Sequence, residues 1–500
     1  MLNFIKRAFA KFLRLWQSSD KIGHQIIRSG TILFLGRIVL KIILFAKTVV
    51  LARLLFPEDF GLFGLATISL GLIDVFLQTG FNSALIKEKG DVTRFLDSVW
   101  SVAIIRNLIL AIGIYFAAPL FAAFFNNDLV IPLIQALSVV VLINGFESPG
   151  IVLLQKELAF NKKFWFDLSI VIFEVSATII AALLLRNVWA LVVGTLANKV
   201  AGNIFSYVFH PYRPKFKIDL KDLRILFSYG KWVGLAGIVG YFITQGDNIV
   251  IGKLLAPNEL GYYQLAFALG LLPAVEVGRV LGTLLFPMFS KIQHDAEFLR
   301  RSFIKTGRLI FAATIPASFG LLCLSHEIVL NFYGERWTPM VSALIVISLY
   351  GLVKTFEYVA TPYFLGVGKA NVPAVSSGLQ LTVMALSIVP LTLRFGIKGT
   401  AAAVLLGAVV SQIFLFFRIR KNLNLGMSGI AEMLSAPVIA SGLMYLVLYG
   451  TKGYIINPGI GQTILLIMFG ALIYAALLFV IDKLSGKKIY NSLSWSFQRI

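Results

Sequence analysis

Residues 51–63 read LARLLFPEDFGLF, and residues 251–263 read IGKLLAPNELGYY. The two stretches align without a gap at an offset of 200. Leu54, Leu55, Pro57 and Gly61 recur as Leu254, Leu255, Pro257 and Gly261, while Arg53 is matched by Lys253 and Asp59 by Glu259. The Ser29-Gly30 step also falls opposite Tyr229-Gly230. Proline then acid ahead of an apolar run is a helix-start signal. Each copy therefore reads as a tight turn from one apolar helix into the next, within an internal repeat of about 200 residues.

Outward from these turns the apolar residues come in long blocks, such as 32–52 and 463–481. A mostly apolar stretch of roughly 18 residues or more crosses a bilayer as a helix. The 500 residues are 58% hydrophobic and only 14% charged, with mean hydropathy +0.85, whereas soluble domains carry about 25% charged residues. That balance excludes an ordinary soluble enzyme and a disordered chain. The single cysteine, Cys323, excludes a disulfide framework or a cysteine-based metal site. No secretory signal is evident. The net charge of +21 does not point to nucleic acid, because the basic residues sit between apolar blocks as topology signals.

The pattern predicts an all-α polytopic membrane protein of about fourteen spans. Six lie at roughly 29–51, 59–80, 99–125, 130–154, 165–186 and 188–209. Six more lie at roughly 228–251, 260–285, 306–330, 338–363, 371–393 and 397–418, and a last pair at 433–450 and 460–481. The loops alternate in charge: 30 Lys and Arg lie on one side against seven on the other. The positive-inside rule then puts both termini in the cytoplasm.

Six helices return the chain to the same side, so the repeats are parallel. Parallel repeats characterise several transporter folds, with a substrate site between the halves. The expected organisation is an amphipathic basic arm (1–28), an N-lobe (29–210), a cytoplasmic linker (211–227), a C-lobe (228–420), two further helices (421–482) and an amphipathic tail (483–500). In the arm, Ile5, Phe9, Phe12, Leu13 and Trp16 share one helical face with Lys6, Arg7 and Arg14 off it. That is the pattern of a helix lying on anionic headgroups.

The blocks ARLLFPEDFGLF, GFNSALIKEKGD (80–91) and GDNIVIGKLLAPNELGYYQLA (246–266) resemble polysaccharide-biosynthesis flippases of the Wzx type. These belong to the multidrug/oligosaccharidyl-lipid/polysaccharide exporter superfamily, and the resemblance covers roughly residues 25–425. It implies two six-helix lobes in a V, alternately open to each side, with two added C-terminal helices. It also implies movement of an undecaprenyl-diphosphate-linked oligosaccharide, a repeat unit of O-antigen, capsule or exopolysaccharide, across the bacterial inner membrane. The implied partners are that lipid-linked glycan, membrane lipids and polysaccharide polymerase machinery. The chain is expected to act as a monomer, without cofactor or enzymatic step, with Na+ or H+ as a coupling ion. Lipid II flippases and cation-coupled multidrug exporters of the same superfamily are the alternatives.

Ionisable side chains at membrane depth cost a few kcal/mol each and so mark cavities or pairs. Arg37, Lys41 and Lys47 lie on the first helix with no acid beside them, within a 120° arc at 100° per residue. Such a cluster suits a diphosphate, to which Arg offers paired donors and Lys a point charge. Arg106, Lys231, Arg279 and Lys354 are the assisting cations on other helices, making seven candidate diphosphate contacts. Asp74, Glu174, Asp247, Glu276 and Glu357 are the candidates for coupling or charge pairing. Glu276 with Arg279 and Lys354 with Glu357 have the i,i+3 spacing that makes helix neighbours. For all three cations of the first helix the competing reading is pairing with Asp74, Glu147 or Glu174 of neighbouring helices, with Lys47 snorkelling outward, and Asp247 reads as an interfacial hydrogen-bonding group. The resemblance to lipid II flippases would put acids on the seventh and eleventh helices. The eleventh has none here, and Gln380, Thr382 and Ser387 are among its polar groups. No G-x-x-x-x-G-K-[ST] occurs, and the outer loops are too short for a catalytic platform.

Overall fold

A computed structural model describes residues 21–76, 93–157, 159–452 and 459–484. Most of the amphipathic arm and tail expected from the sequence, and the block 80–91, lie outside these residues. Fifteen α-helices fill the described chain. They are α1 (Lys21–Leu54), α2 (Pro57–Phe76), α3 (Thr93–Phe125), α4 (Val130–Asn144), α5 (Ile151–Lys156), α6 (Phe160–Leu185), α7 (Trp189–Phe209) and α8 (Leu220–Leu254). After them come α9 (Pro257–Lys291), α10 (Ala296–Ile328), α11 (Val341–Lys354), α12 (Glu357–Gly366), α13 (Asn371–Leu423), α14 (Met427–Lys452) and α15 (Ile460–Leu484). Among the described residues nine helical segments are long and apolar enough to cross a membrane. The protein is an all-α polytopic membrane protein, and each predicted span falls on a helical segment.

Several helices depart from one rod per span. The segment predicted at 130–154 breaks over 145–150, where Pro149 has no N–H to continue the ladder. Side chains of α7 satisfy the backbone groups released there. Asn203 Nδ2 donates to Ile143 O (2.7 Å), Tyr207 Oη to Phe146 O (2.9 Å), and Ser206 Oγ accepts from Ser148 N (3.0 Å). The predicted 338–363 span divides into α11 and α12 at Thr355, whose hydroxyl bonds back to Gly351 O at 3.0 Å.

α13 covers two predicted spans. As one rod its 53 residues would be about 80 Å long at the usual rise, against a hydrocarbon core of about 30 Å. The chain reverses at Gly396 (φ 58°, ψ −143°), a backbone conformation that glycine adopts without strain. The arms then pack antiparallel. Thr392 and Thr400 hydroxyls meet at 2.7 Å, and Ser376 and Ser411 at 2.6 Å.

The predicted linker also differs in length. Only 210–219 is non-helical, and α8 begins at Leu220 rather than at residue 228. This extended strap lies along the first turns of α3. Lys215 N donates to Asp97 Oδ1 (2.9 Å), Lys217 N to Ser101 Oγ (2.9 Å) and Asp219 N to Ser98 Oγ (3.1 Å). Tyr212 Oη also donates to Asp97 Oδ1. Burial and the Asp97 carboxylate hold that phenol well above its ordinary range, so it stays a donor.

Contacts divide the chain into two compact units. One holds the chain up to Leu55 together with Leu65–Tyr241; the other holds Phe56–Gly64 and the chain from Phe242 onward. In the first, α1 packs along α6, and α4 packs with α3 and α7. The second is built on a core from α9, α10, α12, α13 and α14. There Phe289 and Phe303 meet Tyr363 edge-on at 5.7 and 5.5 Å, with Leu415 and Met433 beside them. Apolar residues such as Leu184 and Leu386 are 78% and 77% exposed, as lipid-facing positions of a membrane protein are.

The second unit also holds both repeated turns. A Cβ on Gly61 would stand 1.7 Å from Pro257 O, and one on Gly261 would stand 2.0 Å from Pro57 O. Each copy of the turn therefore seats its glycine on the proline carbonyl of the other. The matched positions Pro57/Pro257 and Gly61/Gly261 make one reciprocal contact.

Candidate functional site

The cations of α1 separate into two kinds. At 100° per residue Gly36 and Lys47 lie on one side of the helix and Arg37 and Lys41 on another. The first side faces α6: a Cβ at Gly36 would collide with the Phe164 ring, and Lys47 Nζ is ion-paired with Glu174. Asn198 Nδ2 of α7 donates to the other Glu174 oxygen at 2.7 Å. Lys47 therefore sits in a three-helix polar seam, which is the pairing that the competing reading described. Arg37 and Lys41 are both exposed. Counted from Leu54 at the outer end of α1, they lie roughly 20–25 Å down the helix at 1.5 Å per residue.

The remaining cations divide as follows. Arg106 on α3 is paired with Asp74 on α2. Lys354 is paired with Glu357 at 2.7 Å across the α11–α12 break and also donates to Gln380 Oε1 at 3.1 Å. Gln412 Nε2 donates to the same Glu357 oxygen, Oε2, at 3.1 Å. The i,i+3 spacing of Lys354 and Glu357 is thus realised as contact. The side chains of Lys231 and Arg279 lie outside the described residues, and with them the pairing of Arg279 with Glu276. Glu276 itself is half-buried.

Asp247 departs from its expected place. It is 2% exposed rather than interfacial. Its Oδ2 accepts from Tyr263 Oη of α9 at 2.7 Å, and its Oδ1 accepts from Asn248 N at 2.8 Å. Asn248 Oδ1, beside it, is buried without a hydrogen-bond partner. Burial of a carboxylate is costly unless such donors or a cation compensate it.

Several partners carry no charge and so gave no signal: Asn198, Tyr263 and Gln412 became legible only through packing. Arg308, near the start of the predicted span at 306–330, lies within α10, 6% exposed and paired with Asp482 of α15. Its signal was available in Asp482, an acid at the end of an otherwise uncharged apolar block. Among the described residues no cluster of three or more His, Cys, Asp or Glu is placed to hold a metal ion.

A family model described as "Polysaccharide biosynthesis protein" matches residues 50–342, more than half of the chain. The chain is 26% identical over 308 residues to the lipopolysaccharide biosynthesis protein WzxC of Escherichia coli (strain K12), covering 61% of this chain and 63% of that protein. It is 21% identical over 380 residues to the teichuronic acid biosynthesis protein TuaB of Bacillus subtilis (strain 168), covering 76% and 79%. Among solved structures, the lipid II flippase MurJ in an inward closed conformation superposes with TM-score 0.70 and 19% identity, over 90% of this chain and 99% of that one. An inward-facing multidrug resistance MATE family transporter superposes with TM-score 0.61 and 16% identity, over 77% and 94%. Both share the fold.

Proposed function

We propose a function on the premise that this chain belongs to the polysaccharide biosynthesis protein family: it is a flippase of the bacterial inner membrane. Its substrate is an undecaprenyl-diphosphate-linked oligosaccharide, carried from the cytoplasmic to the outer leaflet by alternating access. The observation that carries this reading is the position of Arg37 and Lys41. Both are exposed on α1, within the span expected at 29–51. Arg and Lys facing lipid cost roughly 2.5–3.5 kcal/mol each on insertion scales. A hydrated diphosphate offsets that cost and receives paired guanidinium donors from Arg37.

The lipid-linked substrate divides its own requirements. The diphosphate needs cations and the glycan needs water, whereas the polyprenyl tail is apolar and stays in lipid. No bond is made or broken, so the protein is a transporter and not an enzyme. The coupling ion, Na+ or H+, belongs at Asp247, where the carboxylate and the unpartnered Asn248 Oδ1 offer adjacent acceptors in a buried place. Names of similar proteins support the substrate class: one is a lipopolysaccharide biosynthesis protein, and another is the succinoglycan biosynthesis transport protein ExoT of Rhizobium meliloti (strain 1021).

The test is an Arg37→Ala/Lys41→Ala variant expressed in a strain deleted for the native gene. Surface polymer is expected to disappear while the amount of protein in the membrane is unchanged. Full export by the double variant overturns the assignment.

A further inference from the structure

The strap at 210–219 has a chemistry that the transport reading leaves unused. Backbone N–H groups of alternate residues in an extended chain point to the same edge, and successive side chains point to opposite faces. Here the N–H groups of Lys215, Lys217 and Asp219 are all taken by Asp97, Ser101 and Ser98 of α3. The register of the strap is therefore fixed, and so are its two faces. One carries Lys215 and Lys217. The other carries Phe216 and Ile218, which are 64% and 44% exposed. Arg213 lies over the Tyr207 ring at 5.5 Å, where the strap leaves α7.

Phe216 and Ile218 stay exposed although the strap that carries them is held in register against α3. The segment also lies on the side that the Lys and Arg bias assigns to the cytoplasm, level with the ends of two membrane helices. Anionic lipids give that leaflet a negative surface potential, which attracts basic segments lying next to membrane helices. Apolar side chains flanked by Lys and Arg are the composition that settles at the headgroup boundary. We propose that the strap is a binding surface for the anionic phospholipid headgroups of the cytoplasmic leaflet, with Phe216 and Ile218 in the interface and Lys215 and Lys217 on the phosphates. The long lysine stems let their ammonium groups reach headgroups from the opposite face of the strap.

The test uses the full chain with a nitroxide attached at Phe216→Cys, and separately at Ile218→Cys, in a Cys323→Ala background. The protein is reconstituted in phosphatidylcholine vesicles with and without phosphatidylglycerol. Collision of the label with oxygen, which concentrates in lipid, is compared with collision with a water-soluble nickel chelate. Adding phosphatidylglycerol is expected to shift both labels toward oxygen. Lys215→Gln/Lys217→Gln is expected to lose the shift, and so is Asp97→Ala, which releases the strap while keeping its charges. Labels equally open to nickel in both vesicles overturn the proposal. So do labels screened from both reagents, which would mark a protein contact, and a shift that survives the double lysine variant.

Discussion

At the scale of single residues, Lys47 shows how packing decides the meaning of a membrane lysine. Its side chain meets Glu174, which also accepts from Asn198, so all the charge in this seam is matched. Removing one partner of a buried pair costs about 3–5 kcal/mol, because the other charge is stranded, whereas removing both costs far less. Lys47→Met is therefore expected to lower the melting temperature of the detergent-purified protein, and adding Glu174→Gln to recover most of the loss. A second substitution that deepened the loss would show that the two act separately. The sequence carried part of this arrangement. Helical spacing grouped Lys47 with Arg37 and Lys41, and the partner that separates it lies 127 residues away, beyond the reach of any local pattern. Asp247 was misplaced for a related reason. Its neighbours in TQGDN are polar and suggest an interface, while its actual surroundings are set by Tyr263 of the next helix.

At the scale of elements, hydrophobic periodicity was a sound guide to where helices run and a poor one to where they break. The reversal at Gly396 was legible, because apolar length beyond one bilayer demands a turn and Arg394 and Lys398 flank it. The break at 145–150 was not, because a proline in an apolar run is common in membrane helices. It persists here since α7 supplies Asn203, Ser206 and Tyr207 to the freed backbone groups. The repeated turns were legible as helix starts, but nothing in either copy announced that it would meet the other. Gly61→Ala and Gly261→Ala are each expected to destabilise the protein, since neither turn has room for a methyl group. The double variant is expected to fall short of the sum by about 0.5–3 kcal/mol, the range for residues in direct contact, because the first substitution already separates the turns. A double-mutant cycle by thermal unfolding measures this coupling, and simple additivity would count against the reciprocal contact.

At the scale of the whole molecule, the last two helices are part of the second unit rather than an appendage. α15 is tied to α10 near one end by Arg308–Asp482 and midway by Tyr474 Oη to Ala312 O at 2.7 Å. Beyond the other end of α10, Asn331 Nδ2 donates to Thr463 Oγ1 at 2.9 Å. α14 contributes Met433 to the main core, against Gly307 of α10. A chain ended after Lys452 takes the Asp482 carboxylate away from the buried Arg308 guanidinium, and its level in membrane fractions is expected to fall. Arg308→Leu in the shortened chain is expected to restore much of that level, and no recovery would place the cost elsewhere. The reciprocal seating of Gly61 and Gly261 reaches further. In a twofold homodimer each surface meets its own copy, so that position i touches j and j touches i. The two turns show that relation inside one polypeptide. The matched turns thus join as the two halves of a twofold interface do, so that a change at either glycine is felt by both copies.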